Sequence, residues 1–472
     1  MQDSKLHLLL SRFSAYELNR LDKFMRSPYL NDDEVLTRLY GYLLPFYKNP
    51  LAGIPEKNKL WKAVYPRIPF TNLKYARLLS DLFRKVEYFV AIEKLKQKPT
   101  EENILILETY NELRMSKHFT EPSLSAQNKL TRNPERDSDY HLQSFRLSVQ
   151  QYAFLENKKQ RGTNKNLQDT IYHLDSFYLI NKLRYTAASL HYGQFLSVRQ
   201  DSALLGEILI WLRAHPPTRD PAIAAYHYII LSLTEPEEER HFRDLKKLLL
   251  SDSAALAIST KLDAVDHALN YCIRKINTGH TSYQSEIFSL YKYALDHELL
   301  YDKGILSPWD YKNITTIALR NKEYKWTASF LETYKYKLAK PEQKNAYTFN
   351  QARYHFAMKQ YDRVLDLLQG VEYTDIFYLL DSKTTLMKTY YELGEYQPLQ
   401  SLKESFRILL RRKKLISEQN RANYGNFARL VMKLYRIDVR DKAKLAALRK
   451  EIEETGNTAD RTWILEKLHE LG

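Results

Sequence analysis

A run of lysines and arginines near the C-terminal end has the spacing of a single helical stripe. In SLKESFRILLRRKKLISEQNR, which begins at Ser401, basic residues recur every three or four positions. Such a stripe could bind the phosphates or carboxylates of an anionic partner through charge-assisted hydrogen bonds. The candidate anionic-partner patch consists of Lys403, Arg407, Arg411, Arg412, Lys413, Lys414 and Arg421.

The next stretch interleaves basic with aromatic residues. Tyr424, Phe427 and Tyr435 alternate with Arg429 and Lys433. Rings that stack on bases beside cations that neutralise phosphates would indicate nucleic-acid binding. The alternative, which we favour, is a solvated basic face whose aromatic side chains belong to the core.

Motifs for catalysis or cofactor binding are absent from the sequence. It contains no G-x-x-x-x-G-K-S/T, G-x-G-x-x-G or G-x-S-x-G segment, and glycine is scarce at 12 residues. The 13 histidines form no H-E-x-x-H motif, and the single cysteine, Cys272, excludes a multi-cysteine zinc site. We therefore predict a protein that is not an enzyme and binds no cofactor.

Composition and charge indicate a folded protein with two basic segments. Apolar residues make up 44% and charged residues 27% of the 472 residues, as in globular proteins. The excess positive charge is concentrated in residues 57–98, which sum to +8, and 401–450, which sum to +11. Concentrated positive charge favours an anionic partner. The single cysteine, the lack of a secretory signal and the lack of a long apolar run predict a cytoplasmic protein without membrane insertion.

Helical periodicity extends along the chain and must position these residues. Ser14 and Glu17 have the spacing of a capping box, and Ser307-Pro308 has the form of a helix start. Alternation typical of strands is missing, so the predicted fold class is all-α. The helix predicted at 72–97 could also be a DNA-recognition helix, although the turn before it is long for that motif.

Three stretches in the C-terminal half are similar to one another. NKEYKWTASFL, KQYDRVLDLLQ and GEYQPLQSLKE each place a short polar turn before a tyrosine. The tyrosines are Tyr324, Tyr361 and Tyr396, which are 37 and 35 residues apart. Periods of this length are typical of solenoids built from helical hairpins.

Residues 305–410 resemble the tetratricopeptide repeat family. Leu386, Tyr390, Gly394 and Tyr396 match the leucine, tyrosine, turn glycine and second-helix aromatic of that family, whereas its closing proline is missing. The resemblance implies a right-handed solenoid; generic stacked hairpins are the alternative. It also implies that the first helices line a concave groove, where a row of cations would suit an acidic peptide or a terminal carboxylate. The candidate concave-face residues are Lys312, Arg320, Arg353 and Lys388.

The whole chain also resembles helical proteins of similar size from Bacteroidota, which implies a bacterial origin and no particular activity. We predict an N-terminal helical module at 1–98, a helical array at 99–304, tetratricopeptide-like repeats at 305–400, and basic helices with a capping helix at 401–472. The predicted function is a non-enzymatic helical-repeat scaffold that mediates protein–protein interaction, with a protein or an acidic peptide as partner. The alternative is a nucleic-acid-binding protein that uses the basic segment 401–450.

Overall fold

The computed structural model describes residues 4–49, 53–157, 165–196, 203–217, 219–251, 256–369, 375–412, 416–456 and 458–471. Within these ranges the protein is all-α, as the sequence predicts, apart from the antiparallel strands β1 (Tyr301–Asp302) and β2 (Ile305–Leu306). None of the described helices has the length and the apolar character needed to cross a membrane.

The chain divides into two compact units, residues 1–181 and 182–472. The division falls within the helix Lys165–Leu196. The described helices up to this point are α1 (Lys5–Leu10), α2 (Ala15–Met25), α3 (Glu34–Lys48), α4 (Lys57–Val64), α5 (Asn72–Lys96), α6 (Pro99–Glu112), α7 (Thr120–Arg132), α8 (Ser138–Asn157) and α9 (Lys165–Leu196).

The second unit continues with further helices. They are α10 (Leu205–Ala214), α11 (Pro221–Thr234), α12 (Glu239–Leu249), α13 (Ile258–Asn277), α14 (Tyr283–Asp296), α15 (Pro308–Arg320), α16 (Tyr324–Tyr334), α17 (Lys340–Ala357), α18 (Tyr361–Leu368), α19 (Ile376–Glu392), α20 (Tyr396–Arg412), α21 (Glu418–Arg436), α22 (Lys442–Glu454) and α23 (Arg461–Leu471).

Two hydrophobic cores lie in the first unit. One joins α1 to α5, where the hydroxyl of the fully buried Tyr40 donates to the Leu18 carbonyl at 2.8 Å. The other joins α6 to α8, where the rings of Phe119 and Phe154 stack with centroids 4.1 Å apart. The described part of residues 1–98 contains the five helices α1 to α5. The division of the chain into four segments stays a prediction.

Helices of the second unit pack as successive hairpins. The pairs α11–α12, α13–α14, α15–α16, α17–α18 and α19–α20 are in contact, and the second helix of each pair also contacts the helix that follows it. The first helices α15, α17, α19 and α21 contact one another in series. Each hairpin has too small an apolar core by itself, so it buries its faces against its neighbours. This arrangement is compatible with a helical repeat.

The three tyrosine stretches form the same turn. Tyr324, Tyr361 and Tyr396 begin α16, α18 and α20, and the residue two positions before each of them has a positive φ of 60°, 57° or 73°. In each turn the following amide donates to the carbonyl five residues back, which is the Schellman motif that ends a helix. These bonds are Glu323 to Ala318 at 3.0 Å, Gln360 to His355 at 2.9 Å and Glu395 to Tyr390 at 2.9 Å.

Candidate functional site

The four candidate concave-face cations lie on the first helices of successive hairpins. Lys312 and Arg320 are on α15, Arg353 is on α17 and Lys388 is on α19. Two of them are ion-paired, Lys312 with Asp381 at 2.7 Å and Lys388 with Asp460. The two lysine side chains are only 12% exposed. We call these four cations and two carboxylates the first-helix cluster.

The first-helix cluster contains more positive than negative charge. Burial lowers the pKa of Arg353, against the attraction of both carboxylates, and its guanidinium donates to the Thr316 hydroxyl. Burial alone would raise the pKa of Asp460, but Lys388 and the charges of Arg353 and Arg320 together hold it below the ordinary value. Arg320 is exposed at the end of α15. Four cations and two carboxylates leave a net charge of +2, with Arg320 at the exposed end.

Aromatic side chains support the two paired lysines. The Lys312 ammonium lies 4.6 Å from the Trp309 ring centroid, and Lys388 lies 4.6 Å from that of Phe356. At these distances the ring faces attract the two ammonium groups and help to hold them in place. The Tyr424 hydroxyl on α21 donates to Asp381 at 2.7 Å, so this carboxylate connects α15, α19 and α21.

The C-terminal helix α23 contacts α19, which carries Lys388, and packs against α21 and α22. The Trp463 indole donates to Glu392 on α19 at 3.3 Å, and Lys467 pairs with Glu392 at 2.9 Å. Trp463 and Leu468 of this helix are buried. Asp460, just before this helix, thus supplies a carboxylate to Lys388 from within the chain.

The candidate anionic-partner patch is divided between two helices. Helix α20 ends at Arg412, and a new helix begins after Ser417, whose hydroxyl accepts from the Asn420 amide at 3.2 Å. The single stripe predicted from 403 to 421 is therefore wrong, because Arg421 lies on α21, where it is half-buried. Lys403 and Arg407 both pair with Glu404, at 2.6 and 2.9 Å.

The structure describes two of the four remaining residues of that patch. Arg411 and Arg412 are exposed in the last turn of α20. Lys413 and Lys414 lie outside the described residues. The binding role of the whole patch stays a prediction.

The aromatic residues interleaved with the basic ones belong mostly to the core. Phe427 is fully buried and Tyr424 is 8% exposed. The Tyr435 hydroxyl donates to the Gly394 carbonyl in the turn between α19 and α20. Tyr424 and Phe427 therefore pack in the core and offer no surface on which a base could stack, whereas Tyr435 is half-buried. The choice between a solvated basic face and nucleic-acid binding stays a prediction.

A cleft of about 540 Å³ lies between α20, α21 and α22. Five cations line it: Lys403, Arg429, Lys433, Arg436 and Lys444. Its only carboxylate among the described lining residues is Glu451, which pairs with Lys433 at 2.7 Å and with Arg429. The hydrogen bond from Lys433, together with that from Arg429, lowers the pKa of Glu451. We call this the basic cleft.

Potential catalytic and metal-binding groups are few in the part of the chain that the structure describes. Burial raises the pKa of the Cys272 thiol to about 12, so the thiolate nucleophile is scarce at neutral pH. Across the described ranges, no group of three or more His, Cys, Asp or Glu side chains is arranged to hold a metal ion. The absence of enzymatic activity stays a prediction.

Comparisons with known protein families, with curated proteins and with solved structures find no match for this chain.

The sequence analysis did not identify Asp381 or Asp460 as partners of the candidate cations. A signal for them exists, because Lys312 to Asp381 spans 69 residues and Lys388 to Asp460 spans 72. Each of these separations is close to the sum of the two tyrosine intervals, which are 37 and 35 residues.

Proposed function

We propose that the protein is a non-enzymatic helical-repeat scaffold that binds another protein through the first helices of its tetratricopeptide-like hairpins. The observation that carries the proposal is the recurrence of one Schellman turn at Lys322, Lys359 and Gly394. Equivalent turns orient successive hairpins alike, and stacked hairpins provide an extended surface for a partner.

The proposed contact region is the exposed end of the first-helix cluster. Arg353 and Arg320 supply the positive charge that Asp381 and Asp460 leave uncompensated. Guanidinium groups bind carboxylates through paired hydrogen bonds. An acidic peptide segment or a terminal carboxylate of the partner fits this charge.

Affinity purification from native lysate, with and without nuclease, tests the scaffold proposal. We expect a defined protein that stays bound after nuclease treatment, is lost with Arg320→Glu and is retained with Lys325→Glu. Lys325 is the matched control because it is exposed on α16, the second helix of the same hairpin. A partner retained by both variants would contradict the assignment of the contact region.

Nucleic-acid binding is the second candidate. It would rest mainly on the cations of 401–450, because Tyr424 and Phe427 are buried and Tyr435 is half-buried. Binding through phosphates falls steeply with salt. If purification yields only nucleic acid, and nuclease removes all bound material, the scaffold proposal is wrong and this candidate replaces it.

A further inference from the structure

The basic cleft combines a charged rim with an apolar floor. The floor is formed by Met432 and Ile437 of the α21 end and by Ala447 and Leu448 of α22. Met432 and Leu448 are buried beneath the opening, whereas Ala447 is exposed within it. A volume of about 540 Å³ is in the range of sites that enclose a ligand or a few side chains.

Four of the five rim cations are exposed, Lys403 is half-buried and pairs with Glu404, and carboxylates compensate the charge of the rim only partly. The side chains of Arg429, Lys433 and Lys444 are 43%, 50% and 71% exposed. Glu451 serves two of the rim cations, and Asp441 pairs with Lys444 at 3.0 Å. Arg436 donates a hydrogen bond to the Tyr396 hydroxyl and not to a carboxylate, so this bond does not balance the charge of the guanidinium. The rim therefore carries positive charge toward solvent around an apolar surface.

We propose that the basic cleft is a docking site for an acidic amphipathic segment of a partner protein. One or two apolar side chains of that segment would contact Met432, Ala447 and Leu448, and its carboxylates would pair with Lys433 and Arg436. Charge complementarity identifies the occupant, and the apolar floor favours a peptide over a sugar–phosphate backbone. This inference rests on the proposed role in protein binding and adds a second site, distinct from the first-helix cluster.

Two adjacent alanines of α22 provide a matched test. Ala447 lines the cleft, whereas Ala446 is also exposed but does not line it. Ala447→Glu would place a carboxylate on the floor, where it repels an acidic segment and competes for the rim cations. Ala446→Glu makes the same change of size, charge and helix propensity outside the cleft.

The probe is a fluorescein-labelled peptide of about 11 residues, three helical turns, with leucine at every third or fourth position among glutamates. Fluorescence anisotropy with the full chain would measure its Kd. We expect Ala447→Glu to weaken binding about tenfold or more, and Ala446→Glu to change it less than about twofold, since one opposed charge pair contributes on that scale. Replacing the leucines of the peptide by serine should weaken binding as much as Ala447→Glu does.

Several results would overturn the proposal. One is no binding of the leucine–glutamate peptide up to about 1 mM; another is equal Kd values for the two alanine variants. Tighter binding of a single-stranded oligonucleotide, also lost with Ala447→Glu, would assign the cleft to nucleic acid. The affinity purification with Arg320→Glu is a separate measurement. A failed peptide test would therefore contradict the docking site and leave the proposed function standing.

Discussion

The first-helix cluster and the basic cleft lie on neighbouring helices of the second unit, and they hold their cations in different ways. Lys312 and Lys388 are largely buried, and each has a carboxylate from a distant part of the chain. Most cations of the cleft are exposed and share a few carboxylates nearby. A buried ammonium needs a partner because desolvation is costly, whereas a solvated one does not. In the first region the two paired lysines therefore serve the fold and only Arg320 is exposed to a partner, whereas in the second region most of the cations are exposed to a ligand.

Removing the carboxylate of Asp460 should have the largest effect on stability. Asp460→Ala leaves Lys388 buried without its carboxylate, and we expect the free energy of unfolding to fall by about 2–3 kcal/mol. Urea unfolding followed by far-UV circular dichroism measures the change. Adding Lys388→Met should restore at least half of the loss, since the unpaired charge is removed. A loss below about 1 kcal/mol would show that the two regions do not differ as described.

The same ion pair should make stability depend on pH. The pKa of Asp460 is lower in the folded protein than its ordinary value of 3.8. Its stabilising contribution is therefore complete above pH 3.8 and is lost as the pH falls through the folded pKa. The difference in unfolding free energy between the wild type and Asp460→Asn should be constant near neutral pH and shrink below pH 3.8. A difference that stays constant in acid would exclude the pairing.

The turn that joins the two regions should have a smaller effect. Gly394, between α19 and α20, has a φ of +73°, and an added Cβ would meet only the Tyr435 hydroxyl at 3.9 Å. Gly394→Ala should therefore cost about 1 kcal/mol through backbone strain alone. Lys359→Gly, at the equivalent turn with φ 57°, should stabilise by about 0.5–1 kcal/mol. Thermal unfolding of both variants measures these changes in stability. Changes of the same sign in the two variants would argue against equivalent turns.

Removing a carboxylate from the basic cleft should have the smallest effect on stability. Glu451→Gln leaves Arg429 and Lys433 exposed to water, so the free energy of unfolding should fall by about 0.5 kcal/mol or less. The same substitution should tighten binding of the leucine–glutamate peptide, because two rim cations lose their internal competitor. Urea unfolding and fluorescence anisotropy on the same variant separate the two effects. A loss as large as that of Asp460→Ala would remove the contrast between the regions.

Local features of the fold were predictable where neighbouring residues decide them. Ser14 accepts from the Glu17 amide, and the Glu17 carboxylate accepts from the Ser14 amide at 2.7 Å, which completes the predicted capping box. Ser307 caps α15 through the Trp309 amide at 3.1 Å. By contrast, α3 continues through Pro45 to Lys48, although proline is unfavourable inside a helix. Proline lacks an amide hydrogen, but in the last turn of a helix the loss of one bond is tolerated.

The sequence by itself determined the all-α class, the helix starts after Ser14 and Ser307, and the equivalence of the three tyrosine turns. These follow from helical periodicity and from turn chemistry, which act over a few residues. Only the tertiary structure decided that Asp381 and Asp460 pair with Lys312 and Lys388, and that the cations of α20, α21 and α22 surround one cleft. Charges attract across space irrespective of their separation along the chain, so helix packing selects which of 72 cations and 57 carboxylates meet.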